Sequence, residues 1–180
     1  MTLHYVLEGP DDAPVILFSN SLGTTSEMWQ PQRDALINQY RILRYDVPGH
    51  GASAPDGQTR SLEQLGSKVL SLLDTLGIDR VHFCGISMGG LTGLWLARFH
   101  PQRLMTLTVA NSAAKIGEPA AWQQRAALVR QHGMTAITEN AAARWFTPAF
   151  CERAPATVQS LLSQLSACDA ESYADCCEAL

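Results

Sequence analysis

The chain has no run of about 18 apolar residues of the kind that spans a bilayer, and its first residues lack the basic and apolar segments of a secretory leader. The expected compartment is the cytoplasm. A dominant charge is missing as well. The formal net charge is -4 at pH 7, and arginine far outnumbers lysine but is dispersed along the chain, which argues against nucleic acid as a partner. Metal-ligand spacing is absent too. The five cysteines, Cys84, Cys151, Cys168, Cys176 and Cys177, are odd in number and form no paired Cys-x-x-Cys elements or zinc-spaced Cys and His set. Reduced thiols and no metal are expected. There are no repeats, low-complexity tracts or charge blocks.

What is present is the composition of a globular domain: 180 residues, 46% hydrophobic and 17% charged. A chain of this size buries roughly 70% of its unfolded surface, enough for one sizeable core. Val15-Ile16-Leu17-Phe18 is a continuous apolar run suited to a strand covered on both faces. Leu3 to Leu7 alternates weakly, and Tyr40 to Val47, Arg80 to Cys84 and Leu104 to Ala110 also read as strands. Between them lie three helical stretches. One opens at Met28-Trp29-Gln30-Pro31 and runs through Leu36; Leu91 to Phe99 is another and stops before Pro101. The third begins at Ser61, has Glu63 and Gln64 in its first turn, and ends at Gly77. Such alternation implies a mostly parallel α/β sheet with right-handed crossovers and chemistry at the carboxyl edge.

From Pro119 onward no strand signal occurs. Helical stretches are expected from about Trp122 to His132, Thr135 to Phe146, Thr157 to Leu165 and Ser172 to Leu180. The reading is an α/β core over residues 1–116 and a helical cap over 117–180, with a plain helical bundle completing the core as the other possibility.

The chemistry centres on Gly85-Ile86-Ser87-Met88-Gly89, which bridges a strand to a helix. A sharp turn there forces the central residue into a strained backbone conformation, and small neighbours are needed where helix and strand approach. The turn holds the Ser87 hydroxyl at a helix N-terminus, where developing negative charge is favoured. An attacking serine also needs donors for the oxyanion it creates. In this arrangement one backbone N–H comes from the residue after the nucleophile and another from the loop after an earlier strand, which points to Met88 and Leu22. Asn20-Ser21-Leu22-Gly23 can also be read as a simple Asx-type turn.

Asn20-Ser21-Leu22-Gly23 followed by Met28-Trp29, Asp46-Val47-Pro48-Gly49-His50-Gly51-Ala52-Ser53 and Gly85-Ile86-Ser87-Met88-Gly89-Gly90 together resemble the α/β-hydrolase superfamily. More narrowly, Ala110 to Gly117, Ala143-Arg144-Trp145-Phe146-Thr147-Pro148 and Tyr173 to Leu180 are similar to the 3-oxoadipate enol-lactonases. The resemblance covers essentially the whole chain. It implies cofactor-free hydrolysis of a five-membered enol-lactone carrying a carboxymethyl group, giving 3-oxoadipate in the β-ketoadipate route of aromatic catabolism. A carboxylesterase, another small-lactone hydrolase or a non-catalytic binding domain are the alternatives.

The resemblance also implies further strands after the cap, carrying the catalytic acid and then the histidine. Neither is found within these 180 residues, so the chain on its own is expected to be inactive, a serine hydroxyl being a weak nucleophile without a base. Among the internal histidines, His50 is the best substitute, although Pro48-Gly49-His50-Gly51 reads as structural. Asp46 is expected to fix its own loop, and Asn111 stands where some hydrolases place the acid. A small anionic lactone needs an apolar pocket with one cationic group, for which Arg144 and Trp145 are the candidates; the other reading puts Arg144 on a solvated helix face and Trp145 in the cap core.

Overall fold

The computed structural model describes residues 3–180. Its five strands are β1 (Tyr5–Glu8), β2 (Val15–Ser19), β3 (Arg41–Tyr45), β4 (Val81–Ile86) and β5 (Leu104–Ala110). They form one sheet in the order β1-β3-β2-β4-β5, parallel throughout except for the antiparallel β1. β2 carries the alternation that organises both faces. Leu17 points into a cluster with Leu43, Val81, Phe83, Leu65, Val69 and Leu73, whereas Phe18 packs with Ile42 and Trp29 on the other side, next to Ile16 and Cys84.

The helices of the α/β part are α1 (Gln30–Leu36), α2 (Leu62–Thr75) and α3 (Met88–Phe99). α2 starts as its sequence requires: the Ser61 hydroxyl accepts from the Gln64 N–H at 3.2 Å, and Leu65, Val69, Leu72 and Leu73 face the core. α3 begins at Met88 and not at Leu91. The two glycines after Met88 are helical here, and their lack of side chains lets the first turn approach the end of β2 at Gly89, and Val109 and Ser112 at Gly90.

Beyond β5 the chain is helical: α4 (Pro119–His132), α5 (Thr135–Thr138), α6 (Ala141–Trp145), α7 (Pro148–Arg153), α8 (Pro155–Ser166) and α9 (Ala170–Glu178). The single helix expected from Thr135 to Phe146 is broken at Glu139–Asn140, where Asn140 leaves helical geometry at φ -110° and ψ 5°. Pro148–Arg153, between two expected helices, is itself a helix, with Pro148 at its first position and the Thr147 hydroxyl accepting from the Phe150 N–H at 3.3 Å. The first strand is also displaced, to Tyr5–Glu8. His4 precedes it, its N–H donating to the Ser53 hydroxyl and its imidazole Nδ1 lying 3.1 Å from the Asp46 carboxylate.

One apolar cluster runs from Leu3 and the sheet through α2 and α3 to Leu165, Tyr173, Cys176 and Cys177. The two C-terminal helices are thereby built into the same core as the sheet. No described helix is long and apolar enough to cross a membrane.

Candidate active site

Ser87 lies between β4 and α3 with φ 53° and ψ -117°, one of two non-glycine residues at positive φ among those described. Three contacts hold this turn. The Ser87 N–H donates to the Ala110 carbonyl at 3.1 Å, its own carbonyl accepts from the Ser112 hydroxyl at 2.8 Å, and the Gly89 N–H donates to the Asn20 carbonyl at 3.0 Å. The last contact binds the first turn of α3 to the loop after β2. A β-carbon at Gly89 would collide with the carbonyls of Ser19 and Asn20, so the glycine is required by space.

The loop after β2 is anchored by side chains. Asn20, fully buried, donates from its amide to the Tyr45 carbonyl and accepts from the Trp29 indole, both at 2.8 Å. Leu22 is buried, as is Met88. Neither the Leu22 nor the Met88 N–H donates a hydrogen bond to another described residue. Both candidate donors are therefore unpartnered, but neither Leu22 nor Met88 is among the residues that line the cavity at Ser87.

Ser87 opens into a cavity of about 450 Å³ whose walls include Ser21, Thr24 and Met28 from the loop after β2, Asn111 after β5, and Arg144, Trp145, Phe146 and Leu161 from the helical part. The structure thus brings both cap candidates, Arg144 and Trp145, to the serine. A larger open groove of about 880 Å³ runs along the outer side of α2 past Gln58, Lys68 and Thr75, but it holds neither Ser87 nor any part of its loops.

Arg144 differs from every other arginine of the chain. The rest have a carboxylate, a backbone carbonyl or an aromatic ring as partner. Arg144 is exposed, as the solvated-face reading has it, and has none among the described residues; the desolvation it does experience and the nearby Arg125 guanidinium lower its pKa from the ordinary arginine value. A cation held beside another cation at the mouth of a cavity is relieved by an anion.

No histidine lines this cavity. His50 is wholly buried, with Nε2 accepting from the Gly23 N–H at 3.2 Å and Nδ1 3.0 Å from the Pro48 carbonyl, so both ring nitrogens are committed to backbone. The carboxylates are committed likewise. Asp46 accepts from the Ser26 N–H at 2.7 Å and the Ala52 N–H at 3.1 Å, fixing the loop after β3 as expected. Asp169 caps α9 through the Ser172 N–H at 2.8 Å, and Asp175 is paired with Arg60 and Arg130.

Several lining residues were not singled out as binding candidates from sequence. Met28 and Phe146 stand inside recognisable motifs, but Thr24 and Leu161 carry no signal of their own. Asn111, considered only as a substitute for an acid, has φ 46° and turns the chain out of β5 at the cavity wall.

The profile of the α/β hydrolase fold matches residues 14–167. The 3-oxoadipate enol-lactonase 2 of Acinetobacter baylyi is 51% identical over all 180 residues, which span 67% of that protein. The 3-oxoadipate enol-lactonase 1 of the same organism is 45% identical over 99% of this chain and 67% of its own length. Among solved structures, the enol-lactonase from Burkholderia xenovorans LB400 superposes with a TM-score of 0.95 at 45% identity, covering 98% of this chain and 69% of that one.

Proposed function

The chain belongs to the α/β-hydrolase fold family, as a hydrolase of the 3-oxoadipate enol-lactonase type, and from that premise we propose that Ser87 is the nucleophile that opens an anionic enol-lactone. The observation that carries this reading is the shared cavity: the strained serine and the one arginine without a partner face the same 450 Å³. Ser87 Oγ attacks the lactone carbonyl as its proton passes to the general base, and the N–H groups of Met88 and Leu22 receive the oxyanion. The ring acyl C–O bond breaks to an enolate that takes up that proton and becomes the ketone, and water then hydrolyses the acyl-enzyme. Arg144 takes the substrate carboxylate, while Trp145 and Phe146 cover the apolar ring. Residues 117–180 serve as the cap over a core of 1–116. The product of such a reaction is 3-oxoadipate, and on this reading the enzyme acts in the β-ketoadipate route of aromatic catabolism.

The general base is not assigned within these 180 residues. They span about two thirds of the length of the two Acinetobacter relatives, and we place the base and its acid in a segment equivalent to the remainder. The test joins this chain to the C-terminal third of the 51% identical lactonase. The joined protein is expected to hydrolyse 3-oxoadipate enol-lactone, Ser87→Ala to lose at least about 10⁴-fold in kcat, and the 180 residues alone to show no enzymatic turnover. Rapid turnover by the 180 residues that disappears in Ser87→Ala would overturn the assignment of the base. Preference for p-nitrophenyl acetate over the lactone would replace the lactonase with an esterase, and an inert joined protein that still binds the lactone would make the domain a binding module. Arg144→Met is expected to raise KM for the lactone about 10–100-fold, the loss of one charge-assisted contact, and to leave KM for the neutral ester unchanged. An equal effect on both substrates would remove Arg144 from carboxylate recognition.

A further inference from the structure

His50 carries no role in the reaction just described, yet it is among the most thoroughly buried polar side chains of the molecule. Its hydrogen bonds define its chemical state. The Gly23 N–H can only donate, so Nε2, 3.2 Å away, is the acceptor, and the ring proton sits on Nδ1, which donates to the Pro48 carbonyl at 3.0 Å. Burial lowers the pKa from the ordinary histidine value, against the opposing pull of the Pro48 carbonyl, Asp46 and Asp169, which agrees with a neutral ring. The imidazole therefore bridges two loops: one carries Leu22, and the other follows β3.

The residue it grips is the one after Leu22. Gly23 has φ 82°, a left-handed turn that directs its own N–H away from the course of β2. The same loop is held at its other end by Asn20, through its carbonyl to the Gly89 N–H and through its side chain to Tyr45 and Trp29. Leu22 lies between these two fixed points and is left with an unpartnered N–H. On its far side His50 faces α9: Tyr173 stacks on the ring with centroids 6.3 Å apart, and the Asp169 N–H donates to the Gly49 carbonyl at 2.8 Å.

We propose that His50 is a positioning residue for the oxyanion site: its Nε2 fixes the Gly23 amide and thereby sets the direction of the Leu22 N–H, seating that loop against α9. The inference rests on the reading of Ser87 as nucleophile for its catalytic consequence, but not for the strut itself.

Two substitutions divide the ring into its halves. His50→Gln places an amide oxygen near the position of Nε2 and keeps an acceptor for Gly23. His50→Asn places an amide nitrogen near Nδ1, keeping the Pro48 contact and losing the Gly23 one. In the 180-residue chain, backbone amide exchange followed by NMR is expected to show Gly23 protected in the parent and in His50→Gln. In His50→Asn, Gly23 should exchange at least about tenfold faster, with the Leu22 amide resonance displaced and the exchange of β2 and β4 unchanged. Protection of Gly23 retained in His50→Asn overturns the strut. In the joined protein, His50→Asn is expected to lower kcat about 10–100-fold with KM within about threefold, since a misdirected oxyanion donor is felt in the transition state, and His50→Gln to restore most of the rate. Equal rates for parent and His50→Asn, with Gly23 exposed, would show a strut without catalytic consequence and overturn the positioning role. If the joined parent itself fails to hydrolyse the lactone, the nucleophile reading falls and the exchange data alone decide the strut.

Discussion

Ser87 stands in a region of backbone space that a side chain rarely occupies, and it is held there by neighbours on three elements, β5, the Ser112 turn and the loop after β2. Strain of this kind costs about 1–3 kcal/mol. Ser87→Gly is therefore expected to raise stability by about 1 kcal/mol in urea unfolding while removing the hydroxyl; a loss of stability would mean that the surroundings do not impose the turn. At Gly89 the direction reverses. Gly89→Ala puts a methyl group into the Ser19 and Asn20 carbonyls and is expected to cost about 1–3 kcal/mol and to shift the Asn20 amide signals. The Ser87 turn was legible because small residues at fixed spacing between a strand and a helix have one physical use. Arg144 was legible only by type. That it lacks a partner depends on which carboxylates and rings the other arginines reach, and those partners are distant in sequence.

At the scale of elements, α9 is tied to the rest of the molecule by Asp175. Its carboxylate is buried and bridges Arg60, before α2, at 2.9 Å and Arg130, on α4, at 2.8 Å, while Glu178 also meets Arg130. The second oxygen of Asp175 is buried without a partner. Asp175→Asn leaves two guanidinium groups facing a neutral amide and is expected to destabilise the chain by about 1–3 kcal/mol, less than for a fully buried pair because both arginines touch water. Chemical denaturation with and without 1 M salt checks this, the salt reducing the difference only slightly if the burial of Asp175 dominates. Most elements of the α/β part were legible, because β2 reads as an unbroken apolar run and α2 has a cap and a stripe. The breaks between α5, α6 and α7 were not. Apolar and small residues continue across Glu139–Asn140, and the separate segments pack against α8, with α5 also against α4, contacts that no local pattern records.

For the molecule as a whole, buried ionisable groups predict a stability optimum. Below about pH 6.5, the ordinary histidine value, an unfolded His50 gains a proton that the folded one resists, being buried between Asp46, Asp169 and Tyr173. The unfolded state then binds more protons, so stability is present above that pH and lost as pH falls. Above about pH 8.5 the unfolded thiols lose protons. Burial pushes Cys168 and Cys177 up to about 12 and raises Cys176 as well, so the folded state keeps them and stability falls as pH rises. The urea midpoint should peak between these limits, and His50→Gln should flatten the acid side alone. A midpoint still rising at pH 10 would contradict the alkaline half.

The loop that carries Leu22 is closed by residues far along the chain. The Thr25 hydroxyl donates to Gln164 at 2.8 Å across 139 positions of sequence, and Gly23 lies beneath Leu165 and Tyr173. Contacts between β4, α3 and β5 are short in sequence and are expected to form first, whereas these must await the return of the chain. The Ser87 turn is therefore expected to gain its β4 and β5 contacts before the loop carrying Leu22 is seated, an order that pulse-labelled amide exchange would show as protection of β4 and α3 ahead of Gly23. Whatever chemistry the Ser87 turn performs would then depend on residues met last along the chain, because the loop beside it is closed only by α8 and α9.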